Sequence, residues 1–296
     1  MHLSSAASVL LLIIGTINAD QKRFNNYWYD GNAEISTYEL SESRYGELRQ
    51  GFRVMVVVTE PMRLSTHIKP DRKLPDDQKV RVIKLNDLRK FTTGIYDYSV
   101  MTSVFSTAEN RQPFGNMATM KVAFSSQEWC GQVFDRMVRT DSSYEGVLYS
   151  YFESEGESSY SFNAAEVETE DNLWLRVREL NGRFLNEGET RTLNLIPSRW
   201  ITRKNHTPTE LVSATITRAY REFRQTSSGT IEVVPFTWKI GNSQTIVRVE
   251  AAYPHRIVEF SERDGSSGKL LVSEREPYWK QNAGSFTAMR QHLGLP

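Results

Sequence analysis

The strongest constraint on the fold is the spacing of turn signals between strand-length runs. In the second half of the chain, Thr192–Ile196, Leu211–Phe223, Thr230–Ile240, Gln244–Glu250, Arg256–Ser261 and Lys269–Glu274 are rich in β-branched and aromatic residues. Ser228-Gly229, Gly241-Asn242 and Asp264-Gly265 separate several of them. Strands favour such side chains, and short Gly-containing links favour hairpins, so the pattern predicts an antiparallel meander. Pro235 cannot donate to a ladder and is expected at an edge or bulge. The first half reads similarly. Phe52–Thr59 is too apolar to alternate and is expected to be buried on both faces, ending at Glu60-Pro61. Met120, Val122 and Phe124 alternate with polar or small neighbours. Tyr144–Phe152 and Ser158–Phe162 read as hairpin arms.

One helix stands out, over about 167–180. Leu173, Trp174, Val177 and Leu180 share a face, acidic residues lead the segment and Asn181-Gly182 ends it. The expected architecture is mostly β: a large antiparallel curved sheet or open barrel with one covering helix. Residues 20–296 are expected to form a single domain, with a soft internal boundary near 165–185.

Residues 1–19 carry the apolar run Val9–Gly15 and end in Ala19. The run is far below the ~20 residues a spanning helix needs. It reads as a signal peptide cleaved after Ala19, which places the mature chain in the periplasm or outside the cell, without a transmembrane helix. A single cysteine, Cys130, leaves no internal disulfide, so an exported fold must stand on its core. Lysine plus arginine and aspartate plus glutamate both number 36. That balance offers no electrostatic reason to expect nucleic acid as a partner.

Several stretches resemble an uncharacterised family of exported, lipoprotein-like bacterial proteins. They include Tyr27-Trp28-Tyr29-Asp30-Gly31, Arg44-Tyr45-Gly46, Val58-Thr59-Glu60-Pro61, Thr93-Gly94-Ile95-Tyr96, Ser125–Gly131 and Tyr151–Glu155. The resemblance implies export and a shared fold, not a reaction. Similar proteins sometimes carry a septum-formation-inhibitor (Maf) label, but the Ser-Pro-Arg-Arg start associated with Maf proteins is missing here.

The most enzyme-like stretch is Ser125–Gly131. A Cys130 nucleophile would need a base such as His67 or His255 and a depressed thiol pKa. The bland alternative makes Cys130 a small apolar strand residue with Gly131 at a bulge. His67, His206 and His255 lack neighbouring ligands at metal-site spacing, and neither Asp76-Asp77 nor the Glu166–Asp171 cluster fits a calcium loop. No metal and no cofactor is expected. The remaining signal is aromatic: Tyr27, Trp28, Tyr29, Trp129 and Tyr151 are candidate ligand-binding residues, since such rings combine large faces with polar tips.

Three functions follow. The first is an exported, non-enzymatic protein that binds an apolar or amphiphilic ligand, or an envelope partner, in a concavity lined by Val54, Val56, Val58, Met120, Val122 and Phe124. The second is a thiol hydrolase or transferase using Cys130. The third is a carbohydrate-binding surface around Trp28, with Asn26 and Asp30 beside it.

Overall fold

A computed structural model describes residues 20–226 and 229–296. The segment read as a signal peptide lies outside the described residues, as does Ser228 of one expected turn. Residues 20–28 are helical (α1). The first meander comprises β1 (Ala33–Arg44), β2 (Glu47–Arg63), β3 (Lys79–Thr93), β4 (Tyr96–Thr107), β5 (Thr119–Glu128), β6 (Gly131–Arg139), β7 (Ser143–Ser150) and β8 (Glu157–Asn163). Then follow β9 (Val167–Thr169), α2 (Glu170–Arg176), β10 (Thr190–Ile196) and α3 (Arg199–Asn205). The second meander continues with β11 (Val212–Arg218), β12 (Glu222–Thr226), β13 (Gly229–Ile240), β14 (Ser243–Glu250), β15 (Ile257–Ser261) and β16 (Ser267–Glu276), and α4 (Ala288–His292) lies near the C-terminus.

All sixteen strands of the described residues belong to one sheet, in the order β8 to β1, then β16, β15, β14, β13, β11, β10 and β9, with β12 beside β13. The two meanders are joined where β1 pairs with β16, Ala33 opposite Glu276. The ends of the path, β8 and β9, are separated by only three residues of chain, and the sheet curls into a nearly closed barrel. Register shifts at Thr37/Tyr38, Phe105/Ser106 and Arg248/Val249 accompany this curvature. Such bulges bend a strand and increase its twist. This is the mostly β, antiparallel, barrel-like architecture expected from the turn spacing.

Two details differ from the sequence reading. The helix is shorter than 167–180, and it does not cover the sheet from outside. Every residue from Glu170 to Leu175 is buried, and Leu173, Trp174 and Leu175 share one apolar cluster with Tyr38, Met55, Ile83, Val104, Phe236 and Phe260. The helix is a plug, and the expected soft boundary is the middle of the core. The second plug, α3, is also buried from Arg199 to Lys204. It was missed because it is two turns long and half cationic, a pattern that reads as surface.

Both prolines fall where no ladder bond is lost. Pro61 does not end β2. It lies past the last β1 partner of that strand, Val57, and pairs only with Arg81 of β3. Pro235 of β13 pairs with Arg248, at the break where β11 stops at Phe236 and β12 begins at Val233. The strands β4 and β6 are absent from the sequence reading because their alternation carries Ser, Thr, Asp and Arg at half the positions.

Among the described residues, the barrel interior is packed with side chains from the strands and from α2. Met55 and Val57 face α2, whereas Val54 and Val56 lie on the opposite face beneath Leu293, with Val58 and Leu295 at the margin. Val122 shares the cluster of Met55 and Val57, whereas Phe124 and Met120 belong to two further clusters. The expected six-residue concavity is therefore not formed, because alternation sends Val54, Val56 and Val58 of β2 outward. The interior is instead crossed by ion pairs. Arg53 grips Asp87 through two bonds of 2.6 and 2.7 Å and reaches Glu262 at 3.0 Å. Arg89 joins Glu262 to Glu42, and Lys204 of α3 completes the chain by binding Glu42 at 2.6 Å.

Candidate functional site: an aromatic rim of hairpin tips

Four neighbouring hairpins turn at the same end of the barrel. Their tips are Tyr45-Gly46, Gly94-Ile95, Trp129-Cys130 and the longer loop that starts at Tyr151. Each tip projects a large apolar or aromatic side chain: Tyr45 is 55% exposed, Ile95 83%, Trp129 72% and Tyr151 76%. Consecutive strands pair in sequence order here, so the tips stand in a row. Tyr45 and Gly46 both have positive φ, 56° and 76°, the backbone a two-residue primed turn requires.

The rings are held by a layer beneath them. Tyr45 Oη lies 2.8 Å from Tyr98 Oη, and the Arg44 guanidinium stacks 4.1 Å from the Tyr45 ring centre. Burial, with the Tyr45 hydrogen bond, pushes the Tyr98 phenol well above its ordinary range, so it stays protonated. Tyr96 touches both Tyr98 and Trp129, with centroids 5.8 and 6.1 Å away. A Cβ on Gly131 would lie 2.8 Å from Tyr151 Cδ1, so the Tyr151 ring packs on bare backbone. Below, Arg203 of α3 stacks 4.2 Å from Phe152 and reaches Glu155 at 3.4 Å and Glu128 at 3.9 Å. His206, the C-cap of α3, adds a 2.5 Å contact to Glu155. One buried helix thus ties down two of the four tips.

Beside the rim lies an open groove of about 570 Å³ over the outer ends of β2 to β6. Phe52 and Trp129 contribute rings, and Gln50, Asp97, Gln127 and Gln132 contribute hydrogen-bonding groups. Its floor includes Gly51, where a Cβ would lie 2.2 Å from the Lys90 carbonyl oxygen. Only glycine permits that approach of β2 to β3.

The structure divides the sequence-predicted aromatic residues between two places. Trp129 and Tyr151 stand on the rim. Tyr27, Trp28 and Tyr29 lie at the opposite end, where Tyr27 donates to Glu34 at 3.0 Å and Tyr29 is 37% exposed. Trp28 is 1% exposed within the core beside Phe24 and offers no ring face to a sugar. The carbohydrate surface expected around it is not formed, because α1 turns that ring inward.

Cys130 is an exposed hairpin-tip residue, not a strand residue beside a bulge. Its amide donates to Glu128 at 2.6 Å, and that carboxylate, bonded to the thiol as well, pushes the thiol pKa up. A nucleophilic cysteine needs the opposite shift. The two proposed bases are engaged elsewhere: His67 Nε2 meets the Arg139 carbonyl and His255 Nδ1 the Glu250 carbonyl. Among the described residues no cluster of three or more His, Cys, Asp or Glu is placed to hold a metal.

Sequence reasoning missed Tyr45, Ile95, Tyr96 and Arg203. The available signal was a bulky apolar residue in a two-residue turn, a position where Gly, Asn or Asp is the rule. Compared with known proteins, the chain matches no family model, no curated protein and no solved structure.

Proposed function

We propose that this chain is an exported, non-enzymatic binding protein that docks on an amphiphilic surface, a phospholipid bilayer, through its hairpin-tip rim. The observation that carries the reading is the exposure of four bulky side chains on four adjacent tips. Water-facing apolar area is unfavourable by roughly 25 cal/mol per Å² relative to burial, and grouped exposed patches mark interaction sites. Tyrosine and tryptophan are the residues that suit a boundary between water and lipid, with an apolar body and a polar tip. Among the described residues, no helix is long and apolar enough to cross a membrane. Export with cleavage after Ala19 belongs to the same proposal. Protein recovered from its native host should begin at Asp20, and an intact Met1 would overturn that part.

Docking is testable through Trp129. Trp28, Trp174, Trp200 and Trp238 are buried, and Trp279 is the other exposed indole. In a Trp279→Phe variant, acrylamide quenching therefore reports mainly on Trp129. Phosphatidylcholine vesicles should blue-shift its emission and protect it, and Ile95→Ser with Tyr151→Ser should weaken the response at least tenfold. An unaltered spectrum at saturating lipid counts against the proposal.

The groove favours a second reading, a saccharide stacked on Trp129. Its amide and carboxylate groups suit hydroxyl recognition beside a ring face. Protection of Trp129 by soluble oligosaccharide, with no response to vesicles, would select this reading.

A further inference from the structure

The apolar surface of the rim does not stop at the hairpin tips. It runs down one stretch of the outer wall, over β6 and β7. Val133, Asp135 and Met137 of β6 are buried in the barrel, so the alternate residues Phe134 and Arg136 point outward. Phe134 stands directly opposite Tyr149 of β7, and the two are 43% and 50% exposed. Tyr151, two residues past Tyr149, continues the same side, with its ring over Gly131. The stripe of three rings is bordered by Ser125, opposite Phe134 on β5, and by Glu157, opposite Tyr149 on β8. The wall beneath Ile95 is different. Lys90, Thr92, Asp97 and Ser99 line the groove there.

The stripe ends on a cation. Arg136 is exposed, and among the described residues its guanidinium has neither an ion pair nor a hydrogen bond. Its direct cross-strand neighbours are Val147 and Ala123. Glu145, diagonal to it on β7, accepts from the Ser143 and Ser161 hydroxyls instead. Strand rise places Arg136 at most about 7 Å further from the rim than Phe134. A bilayer has a matching spacing: roughly 5–8 Å of headgroup layer flanks each side of its hydrocarbon core. Aromatic rings prefer the edge of the hydrocarbon. With Phe134 and Tyr149 at that edge, the Arg136 guanidinium lies among the phosphates, which its planar fork fits.

We infer that the bilayer contact extends from the rim down the outer wall of β6 and β7, with Phe134 and Tyr149 at the hydrocarbon boundary and Arg136 on a lipid phosphate, so that the barrel leans toward that side. The inference rests on the bilayer reading of the rim and adds which wall the lipid touches.

The test uses the whole protein carrying Trp129→Phe and Trp279→Phe, which leaves no exposed indole among the described residues. One tryptophan is then added, as Tyr149→Trp or, on the polar wall, as Asp97→Trp. Each variant is titrated with phosphatidylcholine vesicles whose acyl chains carry bromine, which quenches an indole only on close approach. Quenching at position 149 is expected to exceed that at 97 at least threefold. Phe134→Ser and Arg136→Gln, both at exposed positions, should each weaken vesicle binding at least threefold when Trp129 is kept as the reporter in the Trp279→Phe protein. Equal quenching at the two positions, or unchanged binding in either variant, would overturn the inference. Vesicle binding is scored separately through Trp129, so binding with equal quenching removes the lean alone. No Trp129 response to vesicles removes the rim reading and this inference together.

Discussion

Buried charges set the pH response of this protein residue by residue, and they do not all act in the same direction. Burial raises Asp87, but Arg53 and Arg89 outweigh it and hold the carboxyl below its ordinary range. Glu42 behaves likewise between Arg89 and Lys204. Both contribute stability that is lost as pH falls through their lowered folded-state values. Asp171 is the opposite case. Burial pushes it up to about 6, because Arg199, with Nε at 3.9 Å, compensates only in part. The folded protein therefore keeps a proton there that the unfolded chain releases. Its contribution is complete below about pH 4 and is lost as pH rises through 6, by an amount on the order of 3 kcal/mol for two pKa units. Asp171→Asn keeps an acceptor for the Arg199 amide and removes the titration. Urea denaturation from pH 4 to 7 should show the variant gaining on the wild type as pH rises. A pH-independent difference would mean that Asp171 titrates normally.

At the scale of elements, the plug helices matter more than their length suggests. A seven-residue helix is not stable alone in water, so α2 depends on its surroundings. Thr169 caps it, accepting from the Asn172 amide at 3.3 Å. Trp174 then docks edge-on against Trp238 and Phe260, with centroids 5.7 and 5.3 Å away, under the Arg53 guanidinium at 3.9 Å. Trp174→Ala empties the middle of the core and is expected to cost ~3–5 kcal/mol, as large aromatic truncations do. Chemical denaturation measures it, and a loss below ~1 kcal/mol would mean that α2 is not a structural plug. The other helix, α3, works through charge: Lys204 reaches Glu42 and Asp264, Trp200 donates to Glu42 at 2.8 Å, and Arg203 holds the rim tips.

For the molecule as a whole, the outer face of β1 and β2 needs cover. The C-terminal segment supplies it, with Leu293 and Leu295 on Ala33, Ile35, Val54 and Val56, and the Thr37 hydroxyl donating to the Leu293 carbonyl at 2.6 Å. Removing residues 287–296 uncovers that patch. Two leucine side chains at ~1.5–3 kcal/mol each bound the loss in stability. The truncated chain should unfold at lower urea and elute as larger species in size exclusion. Unchanged stability and size would show that the segment is not needed as a cover.

Turn spacing and composition were enough to determine a mostly β, antiparallel, curled sheet, because hairpins are local and period-two alternation is written residue by residue. Trp129 and Tyr151 were legible as candidates because a large ring face with a polar tip is a property of residue type. What the tertiary structure alone decided is which side of the sheet each set faces and what fills the barrel. Val54, Val56 and Val58 of β2 face outward because α2 packs on the other face, with Met55 and Val57, and alternation alone does not say which face the core takes. Trp28 is buried because α1 folds back on the core. Glu42, Arg53, Asp87, Arg89, Lys204 and Glu262 read as solvated charges along the chain, and only the closing of the sheet brings them together as buried partners. The rim follows the same logic: four turns, with Tyr45, Ile95, Trp129 and Tyr151 spaced 22 to 50 residues apart, become neighbours only through strand order, and no local pattern records that.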